Sequence, residues 1–176
     1  ERNIPFIRGI TVSGGECSLQ RDFLVELFRL ARDRGLSTLM DTNGGLPIAR
    51  DEGLMEVTDG VMLDIKGTDP EFHRNLVGHG NETVLQNAVE LARAGKLVEV
   101  RTVVLADEPG SRQTVRDTVE LLTPHLAGSV VTYRLIRFRP VGVRGEASDW
   151  KVPDMKEMEE LKRLAEGKGF SRVVIT

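Results

Sequence analysis

The sequence predicts an α/β fold built on a parallel sheet. Three observations carry that prediction: short β-rich runs recur along the chain, longer segments with helical apolar spacing separate them, and no long linker interrupts the alternation. Strands are expected at residues 7–12, 37–40, 60–65, 97–105, 129–138 and 172–175. Helices are expected between them at 19–34, 47–56, 82–94, 112–125 and 155–166. In the first helix Phe23, Leu24, Leu27, Phe28 and Ala31 form one apolar stripe. Punctuation agrees with these bounds, since Gly35 and Gly95 follow helices, Pro47 opens one and Pro153 precedes another. The only period is the β/α unit itself and no low-complexity tract appears, so residues 1–176 are expected to form one domain. Residues 137–152 are the longest irregular stretch and a candidate cover for an active site.

Composition narrows the function classes. The 176 residues, 40% hydrophobic and 29% charged, have the balance of a soluble domain with a real core. A net charge of −3 with evenly mixed signs argues against nucleic acid or a membrane surface as the main partner. No apolar run approaches the roughly 20 residues of a membrane helix. The opening segment lacks the order of a signal peptide, so a cytoplasmic compartment is expected. The single cysteine, Cys17, can form no internal disulfide and cannot by itself anchor an iron–sulfur cluster, which takes several thiolates.

In parallel α/β folds, sites form at the C-terminal ends of strands, so the polar residues there are the candidates. Ser13, Gly14, Gly15 and Glu16 follow the first strand; Asp41, Thr42, Asn43 and Gly44 follow the second; the third ends in Asp64, Ile65 and Lys66. The fourth strand contains Arg101, and the fifth ends in Arg137, Phe138 and Arg139. Side-chain alternation puts Met62, Asp64 and Lys66 on one face of the third strand and Val61, Leu63 and Ile65 on the other. Charges on an interior face persist only when paired, hydrated or bound to a ligand, and a structural ion pair is the plainer of these readings. Two glycines after a strand let the backbone approach a ligand closely, and a carboxylate next to them can accept from an ammonium group. An ordinary strand–helix turn with Ser18 as a cap is the alternative. The glycines match neither the dinucleotide fingerprint nor the P-loop.

The ordered series of strand-SGGE, strand-DTNG, strand-DIK followed by HRNLVG, and strand-VRTVV resembles the activating enzymes of glycyl radical enzymes, in the radical S-adenosylmethionine (SAM) superfamily. The match runs over residues 10–105 and continues more weakly to residue 143. The resemblance implies a partial TIM-like barrel of the (β/α)6 radical SAM type. The family's CxxxCxxC cluster loop lies upstream of residue 1, so the chain is expected to lack the first strand and that loop, to contain no cluster ligand, and to be inactive by itself. By resemblance, Gly14, Gly15, Glu16, Asp41, Lys66, Arg101 and Arg139 are expected to bind SAM. Glu16 or the backbone beside it should meet the amino group, and Lys66 the carboxylate. Asp41, Thr42, Met62 and Asp64 occupy the family's monovalent-cation positions. Arg139 stands where the best-known member has a histidine.

The implied cofactors are SAM and, in the whole protein, a [4Fe-4S] cluster. The implied reaction is reductive cleavage of SAM to a 5′-deoxyadenosyl radical that takes hydrogen from a glycine of the partner. The implied partners are a glycyl radical enzyme and a flavodoxin or ferredoxin as electron donor. Cys17 is read as a packing residue. His73 and Asn75, in the HRNLVG segment, are candidates for touching the partner's glycine loop, with helix capping as the alternative for His73. Trp150 is a candidate anchor for the partner or a cover over core. A non-catalytic SAM- or partner-binding module is the alternative to the enzyme.

Overall fold

A computed structural model describes residues 7–126, 128–141 and 150–176. Six strands lie in one sheet: β1 (Gly9–Val12), β2 (Ser37–Thr42), β3 (Gly60–Asp64), β4 (Leu97–Val104), β5 (Thr132–Arg137) and β6 (Arg172–Ile175). Their spatial order is their chain order, and every neighbouring pair is parallel. Such single winding, in which each strand returns beside its predecessor through a helix, is the connectivity of an α/β barrel and not of a doubly wound sheet. Among the described residues β1 pairs only with β2 and β6 only with β5, so the barrel is partial.

The helices are α1 (Arg21–Arg32), α2 (Glu52–Val57), α3 (Pro70–Val77), α4 (Glu82–Arg93), α5 (Pro109–Leu122) and α6 (Met155–Gly167). Several expected bounds shift for local reasons. The segment expected as a helix from residue 19 opens in a 3-10 turn, Cys17–Gln20, before α1 begins. The segment 47–56 divides at Asp51, whose extended backbone ends a 3-10 turn and whose carboxylate accepts from Leu54 N–H at 2.9 Å to cap α2. Helix α3 was not among the expected helices, although its Asp69 cap, Pro70 at the first position and left-handed Gly78 at the end are ordinary helix punctuation. Its apolar residues Phe72, Leu76 and Val77 keep helical spacing, but eight residues give that period barely two turns, and His73 is its single buried residue.

Strand alternation sorts the residues into two layers. Met40, Val61, Leu63, Val100, Tyr133 and Leu135 are fully buried and meet Leu24, Phe28, Leu91, Val119 and Met158 from the helices. Tyr133 and Phe170 pack at 5.1 Å between ring centroids. At about 25 cal/mol per Å2, this helix-covered face supplies the main stabilisation of the fold. The opposite face carries Asp41, Met62, Asp64, Glu99, Arg101 and Arg134, all half-buried. The expected split of Met62 and Asp64 from Val61 and Leu63 is therefore observed. The core lies on one side of the sheet and a charged, water-accessible surface on the other.

Candidate functional site

The parallel register brings the strand ends together on that charged face. Asp64 of β3 stands opposite Arg101 of β4, and Asp41 of β2 opposite Met62 of β3. A cavity of about 430 Å3 opens at this rim, and Gly14, Gly15, Glu16, Asp41, Lys66 and Arg101 all line it. Ser13, Thr42, Asn43, Asp64 and Ile136 complete the wall. The described chain thus gathers residues from five strands and the loops that follow them into one place.

Gly14 and Gly15 have φ of +93° and +53°, which side-chain-bearing residues rarely adopt. A Cβ at either would meet no heavy atom within 4 Å, so the protein's own packing does not demand their smallness. They leave bare backbone facing open space.

Glu16 directs its carboxylate to groups of the protein itself. Its Oε1 accepts from Ser18 N–H (3.1 Å), Ser18 Oγ (2.7 Å) and Thr42 Oγ1 (2.7 Å), and its Oε2 accepts from Asn43 N–H at 2.8 Å. The side chain ties the glycine loop to the end of β2. Burial would raise its pKa, but the hydrogen bonds from Ser18, Asn43 and Thr42 outweigh burial and hold the carboxyl below the usual range. Thr42 and Asn43 were read from the sequence as neighbours of Asp41, whereas their bonds to Glu16 span 26 and 27 residues.

Arg101 bridges two carboxylates. Its Nε donates to Asp64 Oδ1 at 2.8 Å, its NH1 nitrogen donates to Asp41 Oδ2 at 3.0 Å, and its NH2 nitrogen pairs with Asp41 Oδ1. Partial burial disfavours the guanidinium charge, but Asp41 and Asp64 together raise its pKa further above an already high value. The guanidinium takes the place between Asp41 and Asp64, while buried Thr42 spends its hydroxyl on Glu16 and on Gly44 N–H at 3.0 Å. No group of three His, Cys, Asp or Glu suited to a metal occurs among the described residues.

Lys66 is half-buried at the same wall and has no ion-pair partner among the described residues. Arg139 is the site residue that the fold does not bring in. It is exposed and lines a neighbouring cavity with Val103, Phe138 and Thr176; only Ile136 is common to the two.

Cys17 is buried, and its Sγ donates to Asp41 O at 3.2 Å, as a packing residue would. Burial, then the negative charge of Glu16, pushes its thiol up to about 11. One protonated, buried cysteine does not fit a cluster. His73 and Asn75 do not converge on one surface: His73 is buried against Gly67, while Asn75 lines a separate cleft with Phe72, Leu105 and Trp150. Trp150 packs on Phe138 at 5.8 Å and remains 41% exposed. Much of the expected cover, residues 142–149, lies outside the described residues, as does the far end of the resemblance at 143.

A singly wound partial barrel with a glycine-rich first loop and paired charges at its rim defines a class. The sequence pattern of the radical SAM superfamily matches residues 2–122, and the chain belongs to that superfamily. The Streptococcus mutans pyruvate formate-lyase-activating enzyme is 43% identical over 119 residues, covering 64% of this chain and 44% of that relative. The Escherichia coli K12 pyruvate formate-lyase 1-activating enzyme is 35% identical over 177 residues, covering 92% of this chain and 69% of the relative. Within the superfamily the chain is a member of the glycyl-radical-enzyme activating enzymes. The crystal structure of a domain of such an enzyme from Bacteroides vulgatus superposes with a TM-score of 0.76 at 20% identity, covering 96% of this chain and 98% of that one. The chain spans less than half of the S. mutans relative's length.

Proposed function

We propose that the rim cavity binds SAM and that the chain is the SAM-binding part of an activating enzyme acting on a glycyl radical enzyme. The observation that carries this reading is the pair of left-handed glycines whose missing side chains leave backbone open to the cavity beside Lys66 and Arg101. Three carboxylates (Glu16, Asp41, Asp64) against two cations (Lys66, Arg101) give the wall one net negative charge, which complements a ligand carrying sulfonium, ammonium and carboxylate groups.

In this assignment the backbone of Gly14 and Gly15 meets the aminoacyl end. Lys66 meets the ligand carboxylate as a point charge. Glu16 acts through the loop it ties, and Asp41 and Asp64 hold Arg101. Gly14, Gly15 and Lys66 would hold SAM by its methionyl end, and one electron passed from a flavodoxin or ferredoxin through the superfamily's [4Fe-4S] cluster would break the S–C5′ bond, releasing methionine and a 5′-deoxyadenosyl radical able to take hydrogen from the partner's glycine. Cluster ligands are not found among the described residues, and the residues here position the methionyl group.

Isothermal titration of SAM into the protein tests the assignment. One site is expected, weakened both by Gly15→Val and by Lys66→Met. Absence of binding, or binding that neither substitution alters, would overturn it.

A further inference from the structure

Lys66 has no ion-pair partner among the described residues, yet the backbone that delivers it is held on both sides. Before it, Ile65 N–H donates to Arg101 O at 2.9 Å, and Thr102 Oγ1 donates to Ile65 O at 3.0 Å. After it, Gly67 O accepts from Asn81 Nδ2 at 3.1 Å and lies 3.2 Å from His73 Nδ1. Asn81 Nδ2 also donates to Thr68 O at 2.7 Å. Asn81 is 1% exposed and His73 4%.

Neither side chain does what its position in the sequence suggests. Asn81 directly precedes α4, where asparagine ordinarily caps a helix, but it makes no side-chain cap bond. Its amide instead reaches back 13 and 14 residues to two carbonyls of the loop after β3. His73 lies within α3 and points into the protein. Burial lowers its pKa; the bond to Gly67 partly opposes this, and the charge of Lys66 adds to it. The ring is therefore neutral at physiological pH, and because its neighbour is a carbonyl, the hydrogen is assigned to Nδ1. A side chain at Gly67 would be crowded, since a Cβ there would stand 3.0 Å from atoms of both Phe72 and His73. The loop is pressed against α3 while Asn81 and His73 hold its oxygens.

We propose that Asn81 and His73 are positioning residues for Lys66: by fixing the Gly67 and Thr68 carbonyls, they aim its ammonium at the cavity rim. Lys66 lines both the site cavity and a second cavity of about 300 Å3, the two sharing Asn43 and Asp64. Loosening the loop lets the flexible four-carbon stem lean into the second space and away from the ligand. The proposal rests on the reading of the first cavity as the SAM site.

A double-mutant cycle on SAM affinity, measured by titration calorimetry, separates the two. Lys66→Met is expected to weaken SAM binding at least about tenfold, the loss of one charge-assisted contact. Asn81→Leu, near-isosteric but without donors, is expected to weaken it several-fold, and the double variant to bind no more weakly than Lys66→Met alone. Additive losses would overturn the proposal, whereas unchanged affinity in Lys66→Met would overturn the SAM reading itself. His73→Asn keeps a donor near the Nδ1 position and is expected to retain affinity that His73→Leu loses. This pair decides the matter if Asn81→Leu lacks a cooperative melt, and equal affinities in the two would overturn the proposal.

Discussion

Replacing Glu16 with alanine separates a structural staple from a ligand contact. The carboxylate accepts four hydrogen bonds, and two of them come from the hydroxyls of Ser18 and Thr42, which are 3% and 2% exposed. With the carboxylate itself half-buried, each bond is credited with about 0.5–1 kcal/mol, the value of an ordinary hydrogen bond and below that of a fully buried charged one, so Glu16→Ala should cost about 2–4 kcal/mol. With a urea slope of about 2 kcal/mol/M, the unfolding midpoint should fall by about 1–2 M. Glu16→Gln, which retains one acceptor oxygen, should lose less. The folded-state pKa lies below the unfolded value, so this stability is fully present at pH 7 and is lost as the pH falls through the carboxylate range and the folded pKa. Denaturation of both proteins at pH 7 and near pH 3 checks the magnitude and the sign: the gap should narrow in acid. A Glu16→Ala protein of unchanged stability that binds SAM far more weakly would refute the staple and return the carboxylate to direct ligand contact.

Two further outcomes follow from burial. Cys17, buried and with its thiol pushed up to about 11, should be unreactive toward a disulfide reagent in the folded protein at pH 7 and should react fully only in denaturant, which a thiol titration reads directly. Phe28→Ala removes a fully buried ring from the helix-covered face and should cost about 3–5 kcal/mol, seen as a fall in melting temperature.

Much of the fold was legible from local pattern. The strand periods, the intervening helical stripes and the alternation through 60–66 rest on the period of two and the period of 3.6, which any short window contains. Strand β6 fell at its expected bounds, and β3 within one residue, because each is a run of β-formers beside a turn. Helix α3 escaped because it spans only eight residues, barely two turns; its Asp69 cap, Pro70 and the helical spacing of Phe72 and Leu76 were the available signals. The site's membership was legible wherever strand ends were legible, which covered Gly14, Gly15, Glu16, Asp41, Lys66 and Arg101.

What each of those residues does was a different matter. By itself the sequence determined a parallel α/β chain with its polar residues at one rim and a motif series that marks the family, because these depend on neighbours in the chain. Only the tertiary structure decided that Arg101 lies between Asp41 and Asp64, across separations of 60 and 37 residues. It also turned Glu16 toward Thr42 and Asn43, left Arg139 in the adjoining cavity, and sent Asn81 to carbonyls instead of a helix end. A charged or polar side chain settles on whichever partner the packed fold brings within about 3 Å, and that distance is set by the register of strands and the seating of helices, which no local pattern encodes.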